Sequence, residues 1–317
     1  MRELKINFVD FWSTFIKTDN YFYNLLKQKY NVIIDENPDI LFYSSFGKNY
    51  LNYNCTRIFY TGENRRPDFS ACDFAFTFDY NSNKKHFRLP LYSLFIDYYN
   101  MLPHLLKEKA KSEAVEVWKQ KTKFCCMVVS NPNCNKRIKF FKMLSKVKQV
   151  DSGGRLLNNV GGPVPNKAEF IKDYKFVISF ENSSQDGYTT EKILEPIFQD
   201  CIPIYWGNKF VGKDFNTKRF VNYHEYKSED EVIEKVLQID QDDNLAIEML
   251  MQPTFNPNKI THEEEHIEVL KILCKIIEEQ KKPVAQKWIK YIHKMKLFLI
   301  KLKKKFLKKN KALQTNE

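Results

Sequence analysis

The chain has 317 residues, of which 43% are hydrophobic and 15% aromatic, enough for two domains with cores of their own. Its formal charge of +12 would suit a nucleic-acid binder, but residues 281–317 hold thirteen Lys against a single acid, Glu317, so this segment alone carries +12 and the first 280 residues sum to zero. Composition therefore excludes the globular body as a polyanion binder, and no nucleic-acid partner is expected.

In chain order, residues 5–11 read as a first strand, 21–29 as a helix and Asn31–Ile34 as a second strand, with further strands at Ile40–Tyr43, 57–61 and 74–78. Residues 89–105 are apolar and aromatic. Residues 107–123, dominated by Ala, Glu and Lys, predict a charged helix that bridges to a second domain. A buried strand over 124–130 opens that domain, and the alternation of strand and helix continues to about residue 222. Ser228, with Glu231 three residues on, predicts the start of another helix over 228–237. Such alternation predicts open α/β sheets, and no short period repeats along the chain.

The most informative stretch is 174–207, YKFVISFENSSQDGYTTEKILEPIFQDCIPIYWG. Phe176, Val177, Ile178 and Phe180 predict a strand buried on both faces. A polar loop over 181–188 leads through Thr189 and Thr190, candidate N-caps, into a helix reaching about Gln199, and 201–206 predicts a second buried strand. A βαβ unit binds ligands at the carboxyl ends of its strands, beside the helix N-terminus, and Glu181, Asn182, Tyr188, Glu191 and Lys192 cluster there. The alternative is a well-capped crossover with a polar surface loop.

FENSxxxGYxTEK followed by IPIYWG resembles the signature of the α-1,3-fucosyltransferases that use GDP-fucose, the bacterial-type α-1,3/4 enzymes of Lewis-antigen synthesis. Many residue types at fixed spacing make the match specific. The resemblance implies an α/β chain of GT-B architecture, two Rossmann-like domains facing a cleft, and an inverting transfer of fucose to N-acetylglucosamine in a lactosamine-type acceptor.

Two further stretches share the resemblance. Tyr60-Thr61-Gly62-Glu63-Asn64 follows a strand, and the family's motif makes Glu63 the general base; from the residues alone, Glu63 reads first as a turn residue or a partner for Arg65 or Arg66. Val128-Val129-Ser130-Asn131-Pro132-Asn133 with Arg137 matches the loop whose Arg contacts the diphosphate, against a solvated charge beside Lys136 and Lys139. Asp151-Ser152-Gly153-Gly154-Arg155 resembles a family segment in which two glycines let the backbone approach a phosphate or sugar and Arg155 is a second cation or a structural one.

The chemistry states why these residue types are wanted. A weakly acidic acceptor hydroxyl loses its proton to a carboxylate, Glu63. The leaving GDP gathers charge on its β-phosphate, which the resemblance assigns to Lys192 and Arg137. Glu191 has the family position that accepts the ribose hydroxyls, and as helix neighbours Glu191 and Lys192 should point about 100° apart. Asn182 and Tyr188 orient the pyrophosphate and fucose. With cations available in the protein, no obligate cofactor is expected, a divalent metal being at most stimulatory.

Two other patterns compete. Thr261-His262-Glu263-Glu264-Glu265-His266 fits the H-E-x-x-H zinc motif, but Thr261 and Glu264 also make a capping box. Asp240-Gln241-Asp242 resembles the D-x-D of metal-dependent transferases, yet it follows a helix within a run of acids. Seven Cys without a paired framework fit a reducing compartment. Trp288, Ile292, Met295, Leu299, Leu302 and Phe306 recur at helical spacing among lysines, which predicts a basic amphipathic helix lying on an anionic membrane.

The expected organisation is an acceptor-binding domain with its bridging helix over 1–123, a GDP-fucose-binding domain over 124–260, a packed helix over 261–283 and a membrane-associating tail over 284–317. The expected setting is the cytoplasmic face of a membrane, in lipopolysaccharide or other surface-glycan synthesis. A GT-B transferase with another nucleotide sugar and a non-catalytic nucleotide-sugar or glycan binder remain the alternatives.

Overall fold

The computed structural model describes residues 1–279, 281–286 and 295–303. These residues form two compact units, one comprising Met1–Thr77, Asn81–Arg88 and the chain from Glu263 onward, the other Phe78–Tyr80 and Leu89–His262.

The first unit is built on β1 (Glu3–Val9), α1 (Tyr21–Leu26), β2 (Asn31–Ile34), β3 (Ile40–Tyr43), β4 (Thr56–Tyr60), β5 (Phe74–Thr77) and β6 (His86–Arg88). The strands form one parallel sheet in the order β2-β1-β3-β4-β5-β6. Parallel pairing needs both faces covered, and the sequence supplies aromatic rings for this. Phe8 and Phe42 face each other in register and stack at 5.0 Å, and Phe22 of α1 stacks on Phe42 at 4.9 Å. All carboxyl ends of these strands lie along one edge.

The second unit contains α2 (Leu91–Tyr98), α3 (Leu102–Leu105), α4 (Lys111–Gln120), β7 (Lys123–Met127), α5 (Asn135–Val147), β8 (Val150–Ser152), α6 (Lys167–Ile171), β9 (Tyr174–Phe180), α7 (Glu191–Phe198), β10 (Ile202–Trp206), β11 (Val221–Asn222), α8 (Glu229–Gln241) and α9 (Asp243–Leu250). Its parallel sheet runs β11-β10-β9-β7-β8. Along β9, Phe176, Ile178 and Phe180 enter the larger core with Phe140 and Val232, while Val177 packs with Cys126, Ile171 and Cys201 on the other face. The expected two-sided burial of this strand is observed.

The unit boundaries differ from the expected ones. Residues 89–122 belong with the second unit, because Tyr92, Ile96, Met101 and Leu105 are buried with Ile193, Leu194, Ile197 and Tyr205, and Trp118 packs on Phe176 and donates to Asp243 at 2.6 Å. The helix expected over 261–283 is α10 (His262–Glu279), and from Glu263 it belongs to the first unit, with Val269, Leu273 and Ile277 buried.

Residues 284–286, expected in the tail, also dock on the first unit: Val284 N donates to Asp73 (2.8 Å) and the Gln286 amide to Asn54 O (2.7 Å). Of the rest of the expected tail, residues 295–303 are helical and expose Met295, Phe298, Leu299, Ile300 and Leu302. Trp288, Ile292 and Phe306 lie outside the described residues. No helix among the described residues is long and apolar enough to cross a membrane.

Candidate active site

Glu181 follows β9 directly. Its amide donates to Trp206 O at 2.7 Å, which carries the β9–β10 ladder one step beyond the strand, and its side chain is wholly buried. Gly207 supplies the room: a Cβ there would meet Glu181 Cγ at 2.4 Å. The carboxylate is held by Thr190, whose amide donates to Oε1 (2.7 Å) and whose hydroxyl lies 3.0 and 2.8 Å from the two oxygens. Thr190 stands at the N-cap of α7, as expected, but its side chain makes no cap hydrogen bond because the hydroxyl is given to Glu181.

Lys192 completes the cluster. Its ammonium lies 2.9 Å from Thr190 Oγ1, 3.1 Å from Glu191 Oε1 and 3.4 Å from Glu181 Oε2. Glu191 and Lys192, expected to point about 100° apart, meet at their tips at 3.1 Å.

The three charges settle differently. Burial pushes the Glu181 carboxyl up by more than Lys192 and Thr190 pull it down. Burial would also raise Glu191, but Lys192 and Lys167 more than offset it and hold that carboxyl below its ordinary value. For Lys192 burial acts downward, and Glu181 and Glu191 reverse it, keeping the ammonium charged. The site therefore holds a firm cation and a firm anion beside a carboxyl that resists ionisation.

Arg137, in the first turn of α5, is completely buried. Its Nε and Nη2 donate to Phe180 O (3.1 and 2.6 Å), Nη2 also to Asn182 Oδ1 (2.9 Å), and Nη1 lies 3.5 Å from Asn131 O. Burial lowers its pKa, and among the described residues it has no carboxylate ion pair. Lys136 and Lys139, its neighbours in sequence, instead pair with Glu229 at 3.0 and 3.1 Å. The guanidinium thus ties the loops after β7 and β9 together and keeps Asn182 in place.

The rest of the β9–α7 loop is fixed by Asn208, which sequence reasoning missed. Fully buried after β10, its Oδ1 accepts from Gly187 N (2.8 Å) and Phe210 N (3.0 Å), its Nδ2 donates to Thr189 Oγ1 (3.1 Å), and its amide donates to Tyr205 Oη (3.1 Å). Gly187 has φ +84°, and a Cβ there would lie 2.2 Å from Phe78 O, so only glycine fits. The adjacent Tyr188 is buried, its ring edge-on to Phe78 at 4.9 Å.

Two expected residues, Arg155 and Glu63, remain. Arg155 is exposed, and its guanidinium has no partner among the described residues. The space at Gly154 is taken by the Val129 backbone, whose oxygen would be 2.0 Å from a Cβ, so this glycine serves loop packing. Glu63 is exposed in the first unit, three residues past β4, with its amide on Thr61 Oγ1 at 3.0 Å.

The Asp240-Gln241-Asp242 pattern finds a structural use. Asp240 pairs with Lys148 and Lys175, and Asp242 caps α9 by accepting from Asn244 N at 3.0 Å. His262 opens α10 and its Nε2 lies 2.8 Å from Asp97, whereas the His266 ring sits edge-on to Tyr21 at 5.3 Å.

The family model described as "Alpha-(1,3)-fucosyltransferase FucT N-terminal domain" matches residues 6–95, and "Glycosyltransferase family 10 (fucosyltransferase) C-term" matches residues 118–295. An alpha-(1,3)-fucosyltransferase FucT of Helicobacter pylori is 35% identical over 273 residues, 74% of this chain and 56% of that protein, so the chain spans about half the length of this relative. A crystal structure of an alpha1,3-fucosyltransferase with GDP-fucose superposes with a TM-score of 0.73 at 29% identity, over 89% of this chain and 92% of that one. The fold is thus shared with that structure, and the chain belongs to glycosyltransferase family 10, the fucosyltransferases.

Proposed function

We propose that the chain transfers L-fucose from GDP-fucose, with inversion, to the 3-hydroxyl, or the 4-hydroxyl, of N-acetylglucosamine in a lactosamine-type acceptor. The observation that carries this reading is Arg137: a fully buried guanidinium at the carboxyl end of β9, bonded to neutral oxygens and lacking any carboxylate partner among the described residues. Burying such a charge is costly unless an anion meets it, and a diphosphate held at the strand ends is such an anion.

In this scheme Lys192 and Arg137 take up the charge that grows on the leaving β-phosphate, so the transfer needs no metal. Glu191, kept ionised by Lys192 and Lys167, accepts the ribose hydroxyls. Asn182, already held by Arg137, and Tyr188 orient the pyrophosphate and fucose, with Arg155 as an outer cation. Glu63 takes the proton of the acceptor hydroxyl.

The acceptor is carried on a lipid or lipopolysaccharide glycan, and the C-terminal segment holds the enzyme on the cytoplasmic face of an anionic membrane. The exposed apolar side chains of residues 295–303, interleaved with Lys296, Lys301 and Lys303, support this attachment.

The test is linkage analysis of the product formed from GDP-fucose and N-acetyllactosamine, together with Glu63→Gln. Turnover of the variant should fall at least ~100-fold while GDP-fucose binding survives. A variant that retains turnover removes Glu63 from the chemistry.

A further inference from the structure

Three residues of the first unit share one offset. Trp12 stands three positions past the end of β1, Phe46 three past β3 and Glu63 three past β4, and all three are exposed. Because β1, β3 and β4 are parallel neighbours in that order, the three loops leave the same edge of the sheet side by side. They are also tied to one another. Phe46 N donates to Asp10 O (3.0 Å) and Ser44 N to Val9 O (3.3 Å), while the Ser45 and Thr61 hydroxyls meet at 3.3 Å and Thr61 Oγ1 accepts the Glu63 amide.

Trp12 is not a loose surface ring. Its indole stands perpendicular to Phe15 (5.1 Å) and edge-on to Phe11 (5.7 Å). Those two stack at 4.0 Å and lean on Phe8, itself stacked on Phe42 in the core. The ring is therefore fixed before any ligand arrives, and little rotamer freedom remains to be lost on binding. Its indole N–H has no partner among the described residues. Phe46 is 54% exposed.

We infer that Trp12 and Phe46 form the platform for the hexose attached to the acceptor N-acetylglucosamine, and so set the preference for a disaccharide over a single sugar. A pyranose offers a face of C–H groups ringed by hydroxyls, which suits a flat apolar ring that also carries one free donor. Two interstrand spacings separate β1 from β4, about 10 Å, a gap of the size that one neighbouring sugar fills. The inference rests on the reading of Glu63 as the base at the acceptor hydroxyl.

The experiment compares kcat/KM for N-acetyllactosamine with that for free N-acetylglucosamine, using GDP-fucose and the full chain. The ratio is insensitive to the fraction of folded protein, since both acceptors draw on the same enzyme. Trp12→Ala and Phe46→Ala should each lower the ratio, Trp12→Ala by about tenfold or more, and Trp12→Phe should restore most of it. An unchanged ratio in Trp12→Ala, or a Trp12→Phe ratio as low as that of Trp12→Ala, overturns the platform while leaving the transferase reading intact. Failure of the unaltered chain to use either acceptor overturns that reading, and the platform with it.

Discussion

Glu181 and Thr190, nine positions apart in sequence, lock together: the amide and hydroxyl of the threonine grip the buried carboxyl of the glutamate at 2.7 to 3.0 Å. This contact closes the β9–α7 loop at its base and aims Glu191 and Lys192. Burial raises the folded-state pKa of Glu181 despite Lys192 and Thr190, so the neutral carboxyl is the form the fold prefers. A group with a raised folded pKa contributes stability that is fully present below its unfolded value of 4.5 and is lost as pH rises through the folded value. Glu181→Gln stays neutral at every pH and can still accept the Thr190 amide. It should be more stable than the natural chain at neutral and alkaline pH and converge with it in acid. Urea denaturation across that range checks this, and a stability difference independent of pH refutes it.

Gly187 sits where the same loop passes under Phe78. Its φ of +84° costs an L-residue about 1–2 kcal/mol, and a methyl group 2.2 Å from a carbonyl oxygen forces the backbone to move. Gly187→Ala should lose at least about 2 kcal/mol of stability. Because Tyr188 follows directly and Asn208 accepts the Gly187 amide, the displacement reaches the loop, and GDP affinity should drop about tenfold or more. Calorimetric titration with GDP and thermal melting measure the two effects. Native affinity in the alanine variant would show that the loop does not shape the nucleotide site.

The strands and α7 were legible because their patterns are strong. The run from Phe176 to Phe180 and the run ending at Trp206 are apolar on both faces, and the observed bounds of β9 and β10 lie within a residue or two of the expected ones. The ownership of residues 89–122 was not legible, since an apolar helix face states that it will be buried and not by which partner. Arg137 lies in a run of basic residues with Lys136 and Lys139, and only the phase of α5 turns the arginine inward and the lysines toward Glu229. Asn208 was invisible for a different reason. A lone Asn after Gly reads as a turn, and its four hydrogen bonds reach partners on two loops and a strand that only the fold assembles.

The far end of α7 offers a test of how its two termini are coupled. Asp200, at φ +55° just past the helix, receives Lys109 Nζ at 2.7 Å and His104 Nε2 at 3.2 Å, so it pins α3 and the segment that follows it to the helix that carries Glu191 and Lys192. Burial pushes its carboxyl up, but the bonds from His104 and Lys109 more than offset this and leave it at about 2, against 3.8 for an unperturbed aspartate. A depressed folded pKa contributes stability that is present above 3.8 and is lost as pH falls toward about 2. The difference corresponds to about 2 kcal/mol. Asp200→Asn keeps a short side chain tolerant of the left-handed conformation and removes only the charge. It should cost about 2 kcal/mol at neutral pH and almost nothing near pH 2, so its acid-unfolding limb should be flatter than that of the natural chain. If α7 transmits the loss, GDP affinity in Asp200→Asn should also fall at neutral pH, although the substitution leaves every residue of the candidate site in place. Equal acid limbs in the two proteins would mean that Lys109 and His104 do not hold the carboxylate, and the helix would then need another anchor at this end.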